Sequence, residues 1–170
     1  MKSSSSITLL TVAFLSLIFV SCSSNDAQKK FEEKALAEPS GYTKTDVQGK
    51  VQSKDEDDWR IGPMFQGYVD VETPAFPNPI HAGDKIEIQL SVTGIESVSG
   101  LEVYTRDENH KWRSIYYDQQ NPLPTGLYVI RLDPISFTYT NNYQNAVGLH
   151  RAYIYDGNNN LITYGDIKIE

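Results

Sequence analysis

The chain is poor in the residues that build most redox, metal and catalytic centres. Its 170 residues include one cysteine, two tryptophans, two methionines and three histidines. One cysteine excludes an intramolecular disulfide, a cysteine-rich zinc site and a CxxC redox pair. Positive charge is also scarce: 15 Lys and Arg face 22 Asp and Glu, for a net charge of −7. Nucleic-acid binders draw most of their affinity from Lys and Arg neutralising phosphate, so this balance argues against that class.

Familiar catalytic signatures are missing too. There is no GxSxG elbow, no GxGxxG or GxxxxGK[ST] phosphate loop and no HExxH zinc motif. His81 follows a Pro-Asn-Pro turn, His110 falls in an expected hairpin turn, and His150 in an expected strand. Nothing in that spacing sets a base beside a nucleophile with a third group to orient it. Glycosidases need two carboxylates facing each other across a cleft. The 13 Asp and Glu of residues 59–170 fall mostly at turns or polar strand positions, as Glu87, Glu102, Asp107 and Glu108 do. No catalytic residue and no cofactor are assigned.

What is present begins at the N-terminus. Met1 and Lys2 precede a serine run, Ser3 to Ser6, and then Ile7 to Val20, in which 11 of 14 residues are apolar. That is a charged start and an apolar stretch of secretory-leader type, too short to span a bilayer comfortably. It ends in Phe19-Val20-Ser21-Cys22. This ending resembles the lipobox of bacterial lipoproteins, with Phe19 in place of the usual leucine. The resemblance implies that residues 1–21 are a signal peptide, and that Cys22 is acylated and becomes the mature N-terminus. It also implies that the protein is anchored in the bacterial cell envelope, at the outer membrane, with its face open. Loss of residues 1–21 removes Lys2 alone and leaves 14 basic against 22 acidic residues, a net charge of −8.

Residues 22–58 read as the lipidated cysteine followed by a flexible, acidic linker. Gln28 to Ala37 has the composition for a frayed helical turn or two. Pro39-Ser40-Gly41 and the acidic run Asp55 to Asp58 follow. Large apolar residues are few, so little can be buried. As a coil, some 36 residues would span roughly 30–36 Å.

From Trp59 the period becomes two. Lys85 to Val92 alternates, with Ile86, Ile88, Leu90 and Val92 on one face. Leu101 to Thr105 and Lys111 to Tyr117 form a hairpin around Arg106 to His110. Gly67 to Glu72, Gly126 to Leu132, His150 to Tyr155 and Leu161 to Ile169 complete the set, with a bulge expected at Gly165. About seven short strands and no useful helix in 112 residues predict an all-β domain over 59–170. A two-sheet sandwich fits best, with a small closed barrel as the alternative. Phe76-Pro77-Asn78-Pro79-Ile80, Gly83-Asp84 and Thr125 to Ile130 resemble the immunoglobulin-like modules of secreted Bacteroidota-type proteins. That resemblance implies an immunoglobulin-like fold. No large cargo precedes the module, so a sorting role does not follow.

Two constellations remain. Asp156, Asn158 and Asn160 alternate as in the first half of a calcium loop. An EF-hand then needs Gly at its sixth position and Glu at its twelfth, where this chain has Leu161 and Ile167. A hairpin turn is the expectation, with a weak calcium site as the alternative. The second is a set of aromatics near amides: Trp112, Tyr116, Tyr117, Tyr139 and Tyr143, with Asn141, Asn142, Gln144 and Asn145. Rigid rings beside adaptable amides suit recognition. Strict alternation would place Trp112, Ser114 and Tyr116 on one face and Tyr117 on the other. These features predict a lipid-anchored, non-catalytic module that docks on an envelope protein. A carbohydrate-binding lipoprotein is the alternative. A small envelope hydrolase would have to carry its site on the 133–148 segment.

Overall fold

A computed structural model describes residues 26–81, 83–140 and 142–170. Cys22 and the leader lie outside the described residues. The fold is an all-β sandwich, with nine strands in three sheets and short helical pieces among the described residues.

Seven strands fall in the expected domain: β3 (Val69–Phe76), β4 (Ile86–Val92), β5 (Leu101–Arg106), β6 (Trp112–Asp118), β7 (Gly126–Leu132), β8 (Gly148–Tyr155) and β9 (Leu161–Ile169). They form a three-stranded sheet, β3-β4-β7, and a four-stranded sheet, β6-β5-β8-β9. The chain changes sheet after β4, after β6 and again after β7, so the two sheets are cross-linked by their connections. β4 buries alternate residues, Ile86, Ile88, Leu90 and Val92, and pairs in unbroken register with β7 from Ile86–Leu132 to Val92–Gly126. Facing them are Leu101 and Val103 of β5, Ala152 and Ile154 of β8 and Ile167 and Ile169 of β9. Each fully buried aliphatic side chain contributes about 1.5–3 kcal/mol relative to exposure.

Two expectations change. The first concerns the linker. Residues 26–35 form helix α1, and Lys44–Thr45 and Val51–Ser53 pair as a small hairpin, β1-β2. The segment from 26 to 58 is packed, not a coil. Gln28, Phe31 and Ala35 recur at three- and four-residue spacing and are buried. They rest on the outer face of the four-stranded sheet, against Tyr153, Leu161 and Tyr164. Few apolar residues suffice because the sheet supplies the other half of the contact. Thr43, Thr45 and Asp58 are buried polar groups with partners.

The second change is at Gly165, which pairs directly with Ala152 in an unbroken stretch of β9. The register shift in that ladder lies at Ile154/Tyr155 instead. Gly165 is small because the indole of Trp59 lies on it. The 133–148 segment, which the sequence left without an element, holds two short helical pieces. Asp133 ends β7 as expected and caps a 3-10 turn, Pro134–Phe137, accepting from the Ile135 N–H at 3.2 Å. Helix α2 (Tyr143–Ala146) follows, and Phe137 and Ala146 enter the core.

Candidate functional site

The outer face of the four-stranded sheet is divided. α1 covers the part over β8 and β9, and among the described residues nothing covers the part over β5 and β6. A register shift sets what the open part displays. Thr105 pairs with Arg113 and Tyr104 with Ser114, but Val103 pairs with Tyr116, so Ile115 is an extra residue on β6. Side chains of paired residues share a face. Tyr116 therefore joins Val103 on the core side, where it and Ile115 pack half-buried. Tyr117 pairs with Glu102 and stands on the outer side with Trp112. Alternation without the bulge assigns these two tyrosines to the opposite faces.

Trp112 is 45 % exposed and Tyr117 58 %. Around Trp112 the rings meet edge to face. Its centroid lies 4.8 Å from that of Tyr153 and 6.4 Å from that of Tyr104, and Tyr104 lies 5.7 Å from Tyr155. The Arg106 guanidinium sits 4.8 Å from the Trp112 ring centre and braces it. Tyr104, Trp112, Tyr155 and Asn159 enclose a notch of about 160 Å³. Burial pushes the Tyr155 hydroxyl up to about 12, with the Glu32 carboxylate adding to it. Tyr155 is thus neutral across the physiological range and can donate a hydrogen bond. Such a site is apolar on three sides with an amide on the fourth.

The remaining expected residues lie elsewhere. Tyr139 is 65 % exposed, and its N–H donates to Glu108 beside the β5–β6 turn at 2.8 Å. That contact, and further backbone N–H donors, hold the Glu108 carboxyl below its usual range. Tyr143 is half-buried on α2. Neither borders the notch. Asp156 is buried, and its Oδ1 accepts from the N–H groups of Asn158 (3.0 Å) and Asn160 (2.8 Å), while Oδ2 accepts from Asn160 Nδ2 (3.2 Å). These bonds close a hairpin turn, and that turn carries Asn159 to the notch. Among the described residues no group of three or more acids or histidines is placed to hold a metal.

Titratable groups cluster in two further places. A cavity of about 180 Å³ is lined by Arg106, Glu108, His110 and His150 among others. The His150 ring is tied to the Ala146 carbonyl at 2.7 Å and packs on Phe137, and burial lowers its pKa. The second cluster is a buried clasp. Arg151 donates through Nε and Nη2 to both oxygens of Asp166, at 2.6 and 2.7 Å, and through Nη1 to the carbonyls of Ala35 and Ala37. Asp58 accepts from the N–H groups of Thr43 and Asp166. The clasp fastens the end of α1 and the following segment to β8 and β9.

Tyr104, Tyr155 and Asn159 were not among the expected site residues. Tyr104 and Tyr155 occupy polar positions of their strands, and only the pairing of β5 with β8 brings them together. No protein-family model matches the chain, and no curated protein matches it in sequence.

Proposed function

We propose that this chain is a lipid-anchored, non-catalytic module of the bacterial cell envelope that docks on another envelope protein. Cys22 is its acylated anchor. The observation that carries the docking role is the open notch of Tyr104, Trp112, Tyr155 and Asn159 on a sheet whose other half α1 covers. Buried aromatic anchors in small desolvated pockets dominate protein interfaces. A notch of about 160 Å³ takes one apolar side chain of a partner, with Tyr117 extending the contact along β6.

A second reading is carbohydrate binding. It is favoured by the same rings standing beside Asn159, since ring faces stack on sugars and the amide meets their hydroxyls. In-cell crosslinking of tagged full-length protein, followed by mass spectrometry, separates the two. One dominant protein partner, crosslinked through β5, β6 and the Asp156–Asn160 turn, supports docking. Retained polysaccharide without a protein partner transfers the site to the second reading.

A further inference from the structure

A second surface, apart from the notch, has a different chemistry. An open groove of about 890 Å³ runs between α1, the segment from 43 to 63 and β3. Buried or half-buried Phe31, Trp59, Ile61 and Val71 form its apolar wall. Its exposed cations come from both sides: Lys30 and Lys34, one turn apart on α1, and Lys54 and Arg60 opposite. Two acids also line it. Asp58 is buried and engaged by backbone N–H groups, and Glu72 accepts from Ser91 Oγ. Lys54 and Arg60 have exposed carboxylate neighbours, Glu56 at 3.7 Å and Asp57 at 3.3 Å, which hold them weakly. Val51 at the groove, and Met64, whose N–H is bonded to Gln28 of α1, are exposed.

Four of 15 cations at one groove of a net-acidic chain, with exposed apolar residues beside them, suit an anionic lipid surface. Chain length points the same way. The described fold begins at residue 26, and four residues beyond Cys22 reach at most about 14 Å. A coil of 36 residues would have held the domain much farther out.

We propose that this groove is the membrane-facing surface of the domain. Lys30, Lys34, Lys54 and Arg60 meet lipid phosphates, and Val51 and Met64 enter the headgroup layer. Its closeness to the bilayer rests on the Cys22 anchor proposed above; its charge match does not. The test is lysine acetylation footprinting of the full-length protein on vesicles of phosphatidylcholine, with and without phosphatidylglycerol. Labelling of Lys30, Lys34 and Lys54 should fall about fivefold on the anionic vesicles, the factor for about 1 kcal/mol per basic side chain near such a surface. Lys85 and Lys111 should label alike on both, and Lys30→Glu with Lys34→Glu should restore labelling at Lys54. Equal labelling of the groove lysines on the two vesicles, or an equal fall at every lysine, would overturn the proposal. Attachment to uncharged vesicles, lost in Cys22→Ser, reads the anchor separately.

Discussion

The indole of Trp59 occupies the space beside Gly165 where a side chain would start, so that an added Cβ would clash with its ring atoms Cε2, Cδ2 and Nε1. Trp59 adopts φ 58°, a left-handed conformation that costs a non-glycine residue roughly 1–2 kcal/mol. Burial of the indole, and a 2.7 Å bond from the Trp59 N–H to the Tyr164 carbonyl, hold it there. Gly165→Ala should therefore expel the ring and cost about 1–3 kcal/mol. A lower midpoint in urea, together with a red-shifted tryptophan emission, checks it. Unchanged emission would mean that the ring does not depend on this seat.

Arg151 is the hub of the clasp. Its guanidinium stays charged because the Asp166 carboxylate overrides the cost of burial. Arg151→Met removes one partner and leaves a buried carboxylate unpaired, with two carbonyls of the α1 terminus unmet. Such a loss costs about 3–5 kcal/mol. Limited proteolysis should then cut first between residues 36 and 43, before the sandwich opens. Replacing Asp166 by Leu in the same chain should recover much of the loss, since an apolar pair of similar volume is often neutral. A double variant no better than Arg151→Met would show that the carbonyl contacts dominate.

The sandwich was legible from Ile86 to Val92 onward because a buried face repeats every second residue, and that signal is local. The packing of 26–58 was not legible. Phe31 and Ala35 are too few to announce a core, and what they cover, Tyr153 and Tyr164, lies more than a hundred residues away. The candidate site was half legible for a related reason. Trp112 and Tyr117 were identifiable as aromatics, but their shared face depends on the extra residue at Ile115, which only the β5 partner reveals. Tyr139 and Tyr143 attracted attention by composition, and the fold sends them elsewhere.

Asp58 gives the protein a pH dependence of definite sign. Burial pushes its carboxyl up to about 7, the Thr43 N–H pulls it down, and the Asp166 carboxylate pushes it up again. In the unfolded chain an aspartate titrates near 3.9. The folded state therefore binds the extra proton between about pH 4 and 7, and this group's contribution to stability falls as pH rises through that window. Above about 7 it is flat. Asp58→Asn should abolish this part of the slope. It should also lower stability by about 1–3 kcal/mol, because the amide nitrogen cannot accept from the second backbone N–H. Urea midpoints of the two proteins at closely spaced pH values check the slope. A wild-type curve that rises from pH 4 to 7 relative to the variant would refute the assignment.

The two faces of β6 make separable demands, and that separation tests the docking surface. Trp112 and Tyr155 border the notch, so replacing either by alanine should remove an interface anchor worth about 2 kcal/mol or more, roughly a thirtyfold loss of partner affinity. Tyr116 faces the core, so Tyr116→Ala should leave the captured partner unchanged and cost about 1–3 kcal/mol of stability instead. Tyr139→Ala and Tyr143→Ala should leave capture unaltered, since neither ring borders the notch. Crosslinking yields normalised to folded protein, with stability measured on the same samples, distinguish these effects. Capture lost equally in Trp112→Ala and Tyr139→Ala would move the surface to the β5–β6 turn, where Glu108 holds the Tyr139 backbone. Capture lost in none of them would remove the notch from the interface altogether.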